Sequence, residues 1–320
     1  MHSNTLWNVG FYQRMGEYMP SHLDDRDWNM LLTRIKSGKC TPFLGAGACA
    51  GTLPLGSDIA KQWALEHDYP LKNDIDLVRV AQYIAVEVDP MFPKENLIEL
   101  FEKKIAQDGP PNFSDDYEPH GVLADLPLPV YMTTNYDDFM VHALTSKNWK
   151  PRRELCKWNT FIADYPSVWE NESSYEPTPE NPVVFHLHGH NEVPESIVLT
   201  EDDYLDFLVN ISKDQKLLPP RIQRAITGTS LLFIGYSLSD WSFRVLFRGL
   251  IASTERSLRR LSISVQLPPI TTNVSEDENA RIQQYLDEYF KNIDIKVYWG
   301  TTSEFTRELR RRWEAFKDGA

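Results

Sequence analysis

The hydrophobic positions of the chain fall into two kinds of segment. Short apolar runs, typical of buried strands, are separated by longer segments in which apolar residues recur every three or four positions, as in amphipathic helices. Strands are predicted at 41–44, 129–133, 183–187, 231–235, 261–265 and 293–298. Six strands that alternate with helices predict an α/β fold: a doubly wound, mostly parallel, six-stranded sheet with helices on both faces.

One interval between the predicted strands is helical throughout. From about 56 to 108, residues such as Trp63, Val80 and Ile84 keep helical spacing, and no strand pattern interrupts them. We therefore expect a helical module, inserted at about 56–120 after the first strand and its turn.

Irregular patterns occur at the start and in the middle of the chain. Residues 1–25 are expected to form an N-terminal arm that packs on the body or on a partner subunit, and 26–320 the main domain. Residues 150–182 carry several prolines and acids, so we expect an irregular excursion at the edge of the sheet. A further helix is predicted from about Asp240.

The composition limits the partners of the protein. Of its 320 residues, 42% are hydrophobic and 25% are charged, and the formal net charge is −13. A surface this acidic opposes general nucleic-acid binding, because phosphate backbones require a basic partner. The three scattered cysteines form neither a disulfide framework nor a four-cysteine zinc site. Since no long apolar run and no secretory pattern occurs, we expect a cytoplasmic protein without a membrane span.

The first predicted strand leads into a turn of small residues. Gly45 and Gly47 permit backbone angles and close approaches that a side chain obstructs. The unpaired amides at the start of the next helix, which the pattern predicts from about Asp58, favour an anion such as phosphate. A purely structural turn is the alternative. The candidate cofactor-binding residues here are Gly45, Ala46, Gly47 and Ala48.

Four predicted strand ends carry polar or glycine-rich sequences. They are Gly45–Ala48, Thr133–Asp138, His186–His190 and Gly235–Asp240. In a doubly wound sheet, ligands bind at the carboxyl ends of the strands. We therefore expect all four sequences at the same edge of the sheet, where they would build one binding site.

Three histidines alternate at one of these strand ends. His186, His188 and His190 can share one face of an extended strand, which suggests a metal site as one interpretation. Such sites usually add a carboxylate or cysteine held nearby. A strand-end histidine in a purely structural role is the simpler alternative, and no metal is expected.

The same four sequences, in the same order, resemble those of sirtuins. The Gly45–Ala48 turn is similar to the first NAD-binding motif of that family, and Thr133–Asp137 resembles its Thr-x-Asn-x-Asp segment. Leu187–Gly189 matches the Leu-His-Gly motif, and Gly235–Asp240 resembles the Gly-x-Ser segment that lies along the cofactor. The detailed forms look closest to a bacterial sirtuin-like branch used in phage defence. The resemblance implies a Rossmann-like fold.

The resemblance also implies NAD as the substrate and assigns residues to its site. Cleavage of the nicotinamide–ribose bond passes through an oxocarbenium-like state, as glycoside cleavage does. Asn135 is the catalytic candidate that positions ribose hydroxyls or a water, with helix capping as its alternative; His188 is the candidate base. Further candidate cofactor contacts are Thr134, Asp137, Gly235, Tyr236, Ser237 and Asp240.

The chain also departs from the deacylases of that family. It has no Cys-x-x-Cys pair and hence no zinc ribbon, and Cys49 stands where serine is ordinary. The segment after Gly51 lacks the deacylase sequence as well. The resemblance therefore implies an NAD+ glycohydrolase that releases nicotinamide and ADP-ribose or cyclic ADP-ribose.

Two other functions are alternatives: a non-catalytic sensor of NAD or ADP-ribose and, less favoured, a zinc-free deacylase. The resemblance further implies an NAD-depleting effector of antiphage abortive infection. Its expected partners are other copies of itself or a separate sensor, such as an Argonaute-type protein, a ring translocase or an oligomerisation module. The helical module is a candidate lid over the cofactor.

Overall fold

The computed structural model describes residues 23–236, 262–267 and 276–318. We number the described elements in chain order. The helices are α1 (Asp25–Lys36), α2 (Gly56–Glu66), α3 (Leu77–Glu87), α4 (Phe92–Asp108), α5 (Pro119–Ala124), α6 (Phe139–Ser146), α7 (Val168–Asn171), α8 (Glu201–Lys213), α9 (Pro220–Gly228), α10 (Glu276–Lys291) and α11 (Thr302–Asp318). The strands are β1 (Cys40–Leu44), β2 (Val130–Thr133), β3 (Arg152–Leu155), β4 (Val183–His186), β5 (Ser230–Ile234), β6 (Ser262–Gln266) and β7 (Ile295–Trp299).

The strands form one sheet in the order β3-β4-β2-β1-β5-β6-β7. Every pairing between neighbours in this order is parallel.

The α/β, doubly wound prediction is confirmed, but the predicted sheet of six strands has one strand too few. The missed strand is β3, within the 150–182 segment that we expected to be irregular. This edge strand pairs only with β4 and carries the polar residues Arg152, Arg153 and Glu154, so a search for apolar runs does not detect it.

Side chains alternate between two apolar layers, one on each face of the sheet. Register places Phe43 beside both Met132 and Phe233, and Met132 beside Phe185, which gives a continuous row on one face. That row packs with α8, α9 and α10. Leu44 turns to the other face and packs with residues of α1 and α11. The period of two in these strands therefore accounts for helices on both sides.

The chain between β1 and β2 contains α2 to α5 and no strand, within the continuously described range 23–236. Trp63, Val80 and Ile84 belong to a separate apolar cluster there. Lys94 of α4 forms a largely buried ion pair with Asp203 of α8, at 2.7 Å between Nζ and Oδ1. The boundaries of the arm and of the helical module stay predictions, and residues 1–22 lie outside the described residues.

Helix starts follow local capping chemistry. Asp24 caps α1 by accepting hydrogen bonds from the amides of Arg26 and Asp27. Thr200 caps α8 in a reciprocal pair with Asp203. The helix predicted from about Asp240 lies outside the described residues. Among the helices that the structure describes, none is both long and apolar enough to cross a bilayer.

Candidate functional site

Four adjacent central strands end at one edge of the sheet. In the order β4, β2, β1, β5, their carboxyl ends lead into the four sequences identified above. The chain continues from β1 to β2 on one side, whereas β5 lies on the other side of β1. This is the switch point at which a doubly wound sheet opens a crevice. The structure thus brings the described parts of all four sequences to one place; Ser237 and Asp240 lie outside the described residues.

The turn after β1 differs from the expected anion-binding turn. A 3₁₀ turn spans Ala46–Cys49, and α2 begins only at Gly56. The amide of Gly45 donates to Ile234 O and the amide of Gly47 donates to Gly235 O, both at 2.9 Å. Because the chain after β5 continues to pair with the turn, these amides are not open to a phosphate. The binding of an anion by this turn and by the start of the next helix stays a prediction.

Glycines allow this turn to pack directly against the end of β5. Gly235 has a φ of +80°, and a Cβ placed on it would lie 2.2 Å from the amide nitrogen of Ala48. A Cβ on Gly47 would lie 2.9 Å from the Cα of Gly235. The close approach of two backbones therefore accounts for these glycines before any ligand is considered.

Two candidate cofactor contacts bond to each other in this structure. The hydroxyl of Tyr236 lies 2.8 Å from Thr134 Oγ1 and also 2.8 Å from Leu44 O. The Tyr236 ring packs edge-on against Phe43 and Phe233. Both hydroxyl-bearing residues stay half-buried at the ends of their strands, and their contact with a cofactor stays a prediction.

Asn135 directs its amide group toward the turn after β1. Its Nδ2 lies 3.1 Å from Gly45 O and 3.2 Å from Cys49 Sγ, and the residue is 8% exposed. Helix capping, the alternative for this residue, is not what the side chain does. The amide of Phe139 at the start of α6 donates instead to Asp137 Oδ1, at 2.9 Å.

Asp137 braces the loop after β2. Besides the bond from Phe139, its Oδ2 accepts a hydrogen bond from the Cys49 thiol at 3.3 Å. The residue is buried. Both carboxylate oxygens thus bond within the protein, and the predicted cofactor contact of Asp137 stays a prediction.

His188 lies in an aromatic pocket formed by α8. Its ring meets Tyr204 and Phe207 edge-on, with centroids 5.2 and 4.9 Å away. Nε2 is buried and has no hydrogen-bond partner among the described residues. Burial lowers the pKa of His188 to about 3, because the apolar pocket penalises the charged imidazolium. The ring is therefore neutral near pH 7.

His186 and His190 lie in a different, charged environment. His190 Nε2 is 3.1 Å from Asp138 Oδ1, and the Arg153 guanidinium donates to Asp138 Oδ2 at 2.7 Å. Burial opposes ionisation of Asp138, but its contact with His190 and the positive charge of Arg153 lower its pKa to about 2. The ring of His186 lies against His190, at 4.8 Å between centroids. The three alternating histidines therefore do not form one group.

The residue types around Asp138 would suit a metal, yet a cation already occupies the space. Asp138, His186 and His190 offer ligand atoms within 4.8 Å of one another. Arg153 Nη1 lies 3.1 Å from His190 Nε2, so its positive charge stands beside the potential ligand. The Asp138 carboxylate, which the sequence analysis did not connect with these histidines, is thus paired with the Arg153 guanidinium.

Sequence reasoning missed a second buried group, behind Asn135. Cys49, His120 and Asp137 approach within 4.8 Å of one another, and Glu118 Oε1 lies 2.7 Å from His120 Nδ1. Glu118 and His120 flank a proline before β2 and carry no motif. Cys49 is a buried free cysteine, and its polar contacts arise only from the tertiary fold.

Comparison with known proteins identifies the family. Residues 129–296, just over half of the chain, match the model of the SIR2-like domain. The chain belongs to the SIR2-like family. The matched range contains Asn135 and His188 but not the Gly45–Ala48 turn, so membership does not depend on that turn.

Curated relatives of this SIR2-like chain carry an enzyme name. NAD(+) hydrolase ThsA of Acinetobacter baumannii (strain 532279) is 22% identical over 85% of the chain and 53% of that protein. NAD(+) hydrolase ThsA of Bacillus cereus (strain MSX-D12) is 28% identical over 62% of the chain and 36% of that protein. The chain spans about half of the length of the first relative and less of the second.

Proposed function

We propose that this chain is an NAD+ glycohydrolase, which cleaves the nicotinamide–ribose bond and releases nicotinamide with ADP-ribose or cyclic ADP-ribose. One observation carries the proposal. Thr133 of β2 and His186 of β4 are direct partners in register. Asn135 and His188 each follow two residues later, so an amide and an imidazole come directly after the carboxyl ends of adjacent strands. The names of the curated relatives support the same reaction.

Each residue has a task that its surroundings allow. The neutral His188 imidazole accepts a hydrogen bond from a ribose hydroxyl or from the attacking water. Asn135 positions the same hydroxyls or water. As the bond breaks, nicotinamide leaves with the bonding electrons; water then attacks the oxocarbenium-like carbon and transfers a proton to His188, or the adenine ring attacks instead and gives the cyclic product. The aromatic pocket keeps bulk water from the imidazole.

We place the dinucleotide in the crevice between β1 and β5. Tyr236 and Thr134 line that crevice, and the turn after β1 forms its floor. This placement follows the rule that ligands of doubly wound sheets bind at the switch point. The full set of proposed contacts is Gly45, Ala46, Gly47, Ala48, Thr134, Asp137, Gly235, Tyr236, Ser237 and Asp240.

Incubation of the purified protein with NAD+, followed by chromatography for nicotinamide, tests the reaction. Wild type should release nicotinamide without any acylated peptide, and Asn135→Ala and His188→Gln should not. Asn29→Ala and His142→Gln are matched controls, because both residues are exposed on helices. NAD+ binding without turnover by wild type would instead support a sensor. Release that requires an acylated peptide would support a deacylase.

We further propose that hydrolysis depletes NAD during phage infection and is controlled by assembly. An unrestrained NAD hydrolase would harm its own cell, so the free protomer should be slow. Homo-oligomerisation or a separate sensor protein would supply the control. Size measurement and NAD+ turnover across a dilution series, with and without residues 1–20, test this. A monomer that is fully active at every dilution would contradict it.

A further inference from the structure

The side-chain amide of Asn135 has only one chemically acceptable orientation. Its Nδ2 carries two hydrogens, and two acceptors face it: Gly45 O at 3.1 Å and Cys49 Sγ at 3.2 Å. Rotation of the amide by half a turn would place Oδ1 against Gly45 O, where two acceptors would repel each other. Both donors of the amide are therefore used inside the protein.

The side-chain oxygen of Asn135, Oδ1, is available to a ligand. Asn135 is 8% exposed, and its Oδ1 accepts no hydrogen bond from any residue that the structure describes. Oδ1 is not among the fully buried polar atoms without a partner, so it is the atom of this amide that a ligand or a water can reach. A hydroxyl or a water in the crevice is the partner that would satisfy it.

The Cys49 thiol connects this amide to the start of α6. Its sulfur accepts from Asn135 Nδ2, and its S–H donates to Asp137 Oδ2 at 3.3 Å. Burial, followed by the charge of Asp137, raises the pKa of Cys49 well above its usual value. The thiol therefore keeps the proton that it donates. Asp137 is itself held by the amide of Phe139.

We infer that Cys49 is a positioning residue, which together with Asp137 orients the Asn135 amide so that Oδ1 is presented to the substrate as a hydrogen-bond acceptor. The inference rests on the proposed NAD+ hydrolysis and deepens it. The group that Oδ1 receives is a hydroxyl donor, either of the ribose or of the attacking water. Asn135 thus acts as an acceptor in this reaction and not as a donor.

Two substitutions of Cys49 separate hydrogen bonding from packing. Cys49→Ser keeps one donor and one acceptor, whereas Cys49→Ala removes both and adds no bulk. We expect Cys49→Ala to lower kcat about tenfold or more, the usual scale for loss of an orienting hydrogen bond, with little change in KM. Cys49→Ser should retain most of the wild-type kcat. Equal kcat in Cys49→Ala and wild type, or equal losses in both variants, would overturn the inference.

A double substitution tests whether Cys49 affects turnover through Asn135. In an Asn135→Ala background, Cys49→Ala should cause no further loss of residual turnover, because the amide that it orients is gone. Multiplicative losses would show that Cys49 acts elsewhere and would overturn the inference. Thermal unfolding of each variant verifies that it is folded.

An activity-independent measurement distinguishes this inference from the proposed function. In protein with ¹⁵N-labelled asparagine, the Asn135 side-chain amide protons, assigned by their loss in Asn135→Ala, should exchange slowly with solvent in wild type and Cys49→Ser. They should exchange faster in Cys49→Ala, with or without NAD+. If wild type does not cleave NAD+, the proposed function fails, and fast exchange in wild type would independently refute the orientation of the amide.

Discussion

His188 and His190 stand two residues apart and occupy opposite chemical environments. His188 lies among Tyr204 and Phe207 with a buried, unpartnered nitrogen. His190 lies between the Asp138 carboxylate and the Arg153 guanidinium. Gly189, with a φ of +89°, turns the chain between them. Residue type therefore does not decide the chemistry of either histidine.

The comparison favours His188 over His190 as the histidine proposed to meet the substrate. The ring of His190 contacts the Asp138 carboxylate and the Arg153 guanidinium, so its ring nitrogens already face charged groups of the protein. The apolar surroundings of His188 keep it neutral and leave a nitrogen unsatisfied, which is the state expected of a group that waits for a ligand.

The largest expected effect is on turnover. His188→Gln, which keeps most of the side-chain volume, should lower NAD+ cleavage by about 10²–10⁴-fold, the usual contribution of a positioned base. His190→Gln should mainly lower the free energy of unfolding. Nicotinamide release and urea unfolding of both variants measure this contrast. Comparable losses of turnover in the two variants would contradict the different roles proposed for His188 and His190.

The second effect is a loss of stability in acid. The pKa values of His186 and His188 are about 3 in the folded protein, below the unfolded value of about 6.5. Between these values the unfolded chain binds more protons, so stability should fall as the pH drops from 6.5 toward 3. Urea midpoints at pH 7 and pH 5 measure the loss, which should be smaller in His188→Gln. An equal loss in both proteins would show that His188 is not buried neutral.

The third effect is a loss of stability when the contact between Arg153 and Asp138 is removed. Arg153→Ala leaves the Asp138 carboxylate without its guanidinium partner, since that contact of 2.7 Å is lost. We expect a decrease of about 2 kcal/mol in the free energy of unfolding, the scale of a hydrogen bond to a charged group. Arg224→Ala is the control, because its ion pair with Glu176 is exposed. Similar destabilisation by both variants would contradict the role of burial.

The smallest expected effect concerns the pH dependence of kcat/KM, which should be flat near pH 6.5. If His188 keeps its low pKa in the active protein, kcat/KM should show no protonation step near pH 6.5. Steady-state rates between pH 5.5 and pH 8 would reveal one. A step near pH 6.5 that disappears in His188→Gln would mean that the pocket is hydrated in the active state.

The sequence predicted the central part of this fold because its strands are buried on both faces. Phe43, Met132 and Phe233 lie in apolar runs that leave little ambiguity. The edge strand β3 was not predicted because three of its four residues, Arg152, Arg153 and Glu154, are charged. Convergence of the strand ends on one edge was also predictable, since it follows from parallel topology alone.

The finer features of the site required the three-dimensional structure. Whether Gly47 N is free depends on how far the chain after β5 continues to pair, and the environment of His188 depends on Phe207, nineteen positions later. The contact between Cys49 and Asp137 joins residues 88 positions apart. No local pattern encodes such pairs. The roles proposed for the site residues stay predictions.

The buried ion pair between Lys94 and Asp203 bears on cooperativity. It joins α4 to the helix whose aromatic residues surround His188. Opening α4 alone would leave the Asp203 carboxylate largely buried without its cation, which is strongly unfavourable. Amide hydrogens of α4 and of the first turn of α8 should therefore exchange with solvent as one unit, so that the helices after β1 and the wall of the imidazole pocket open together.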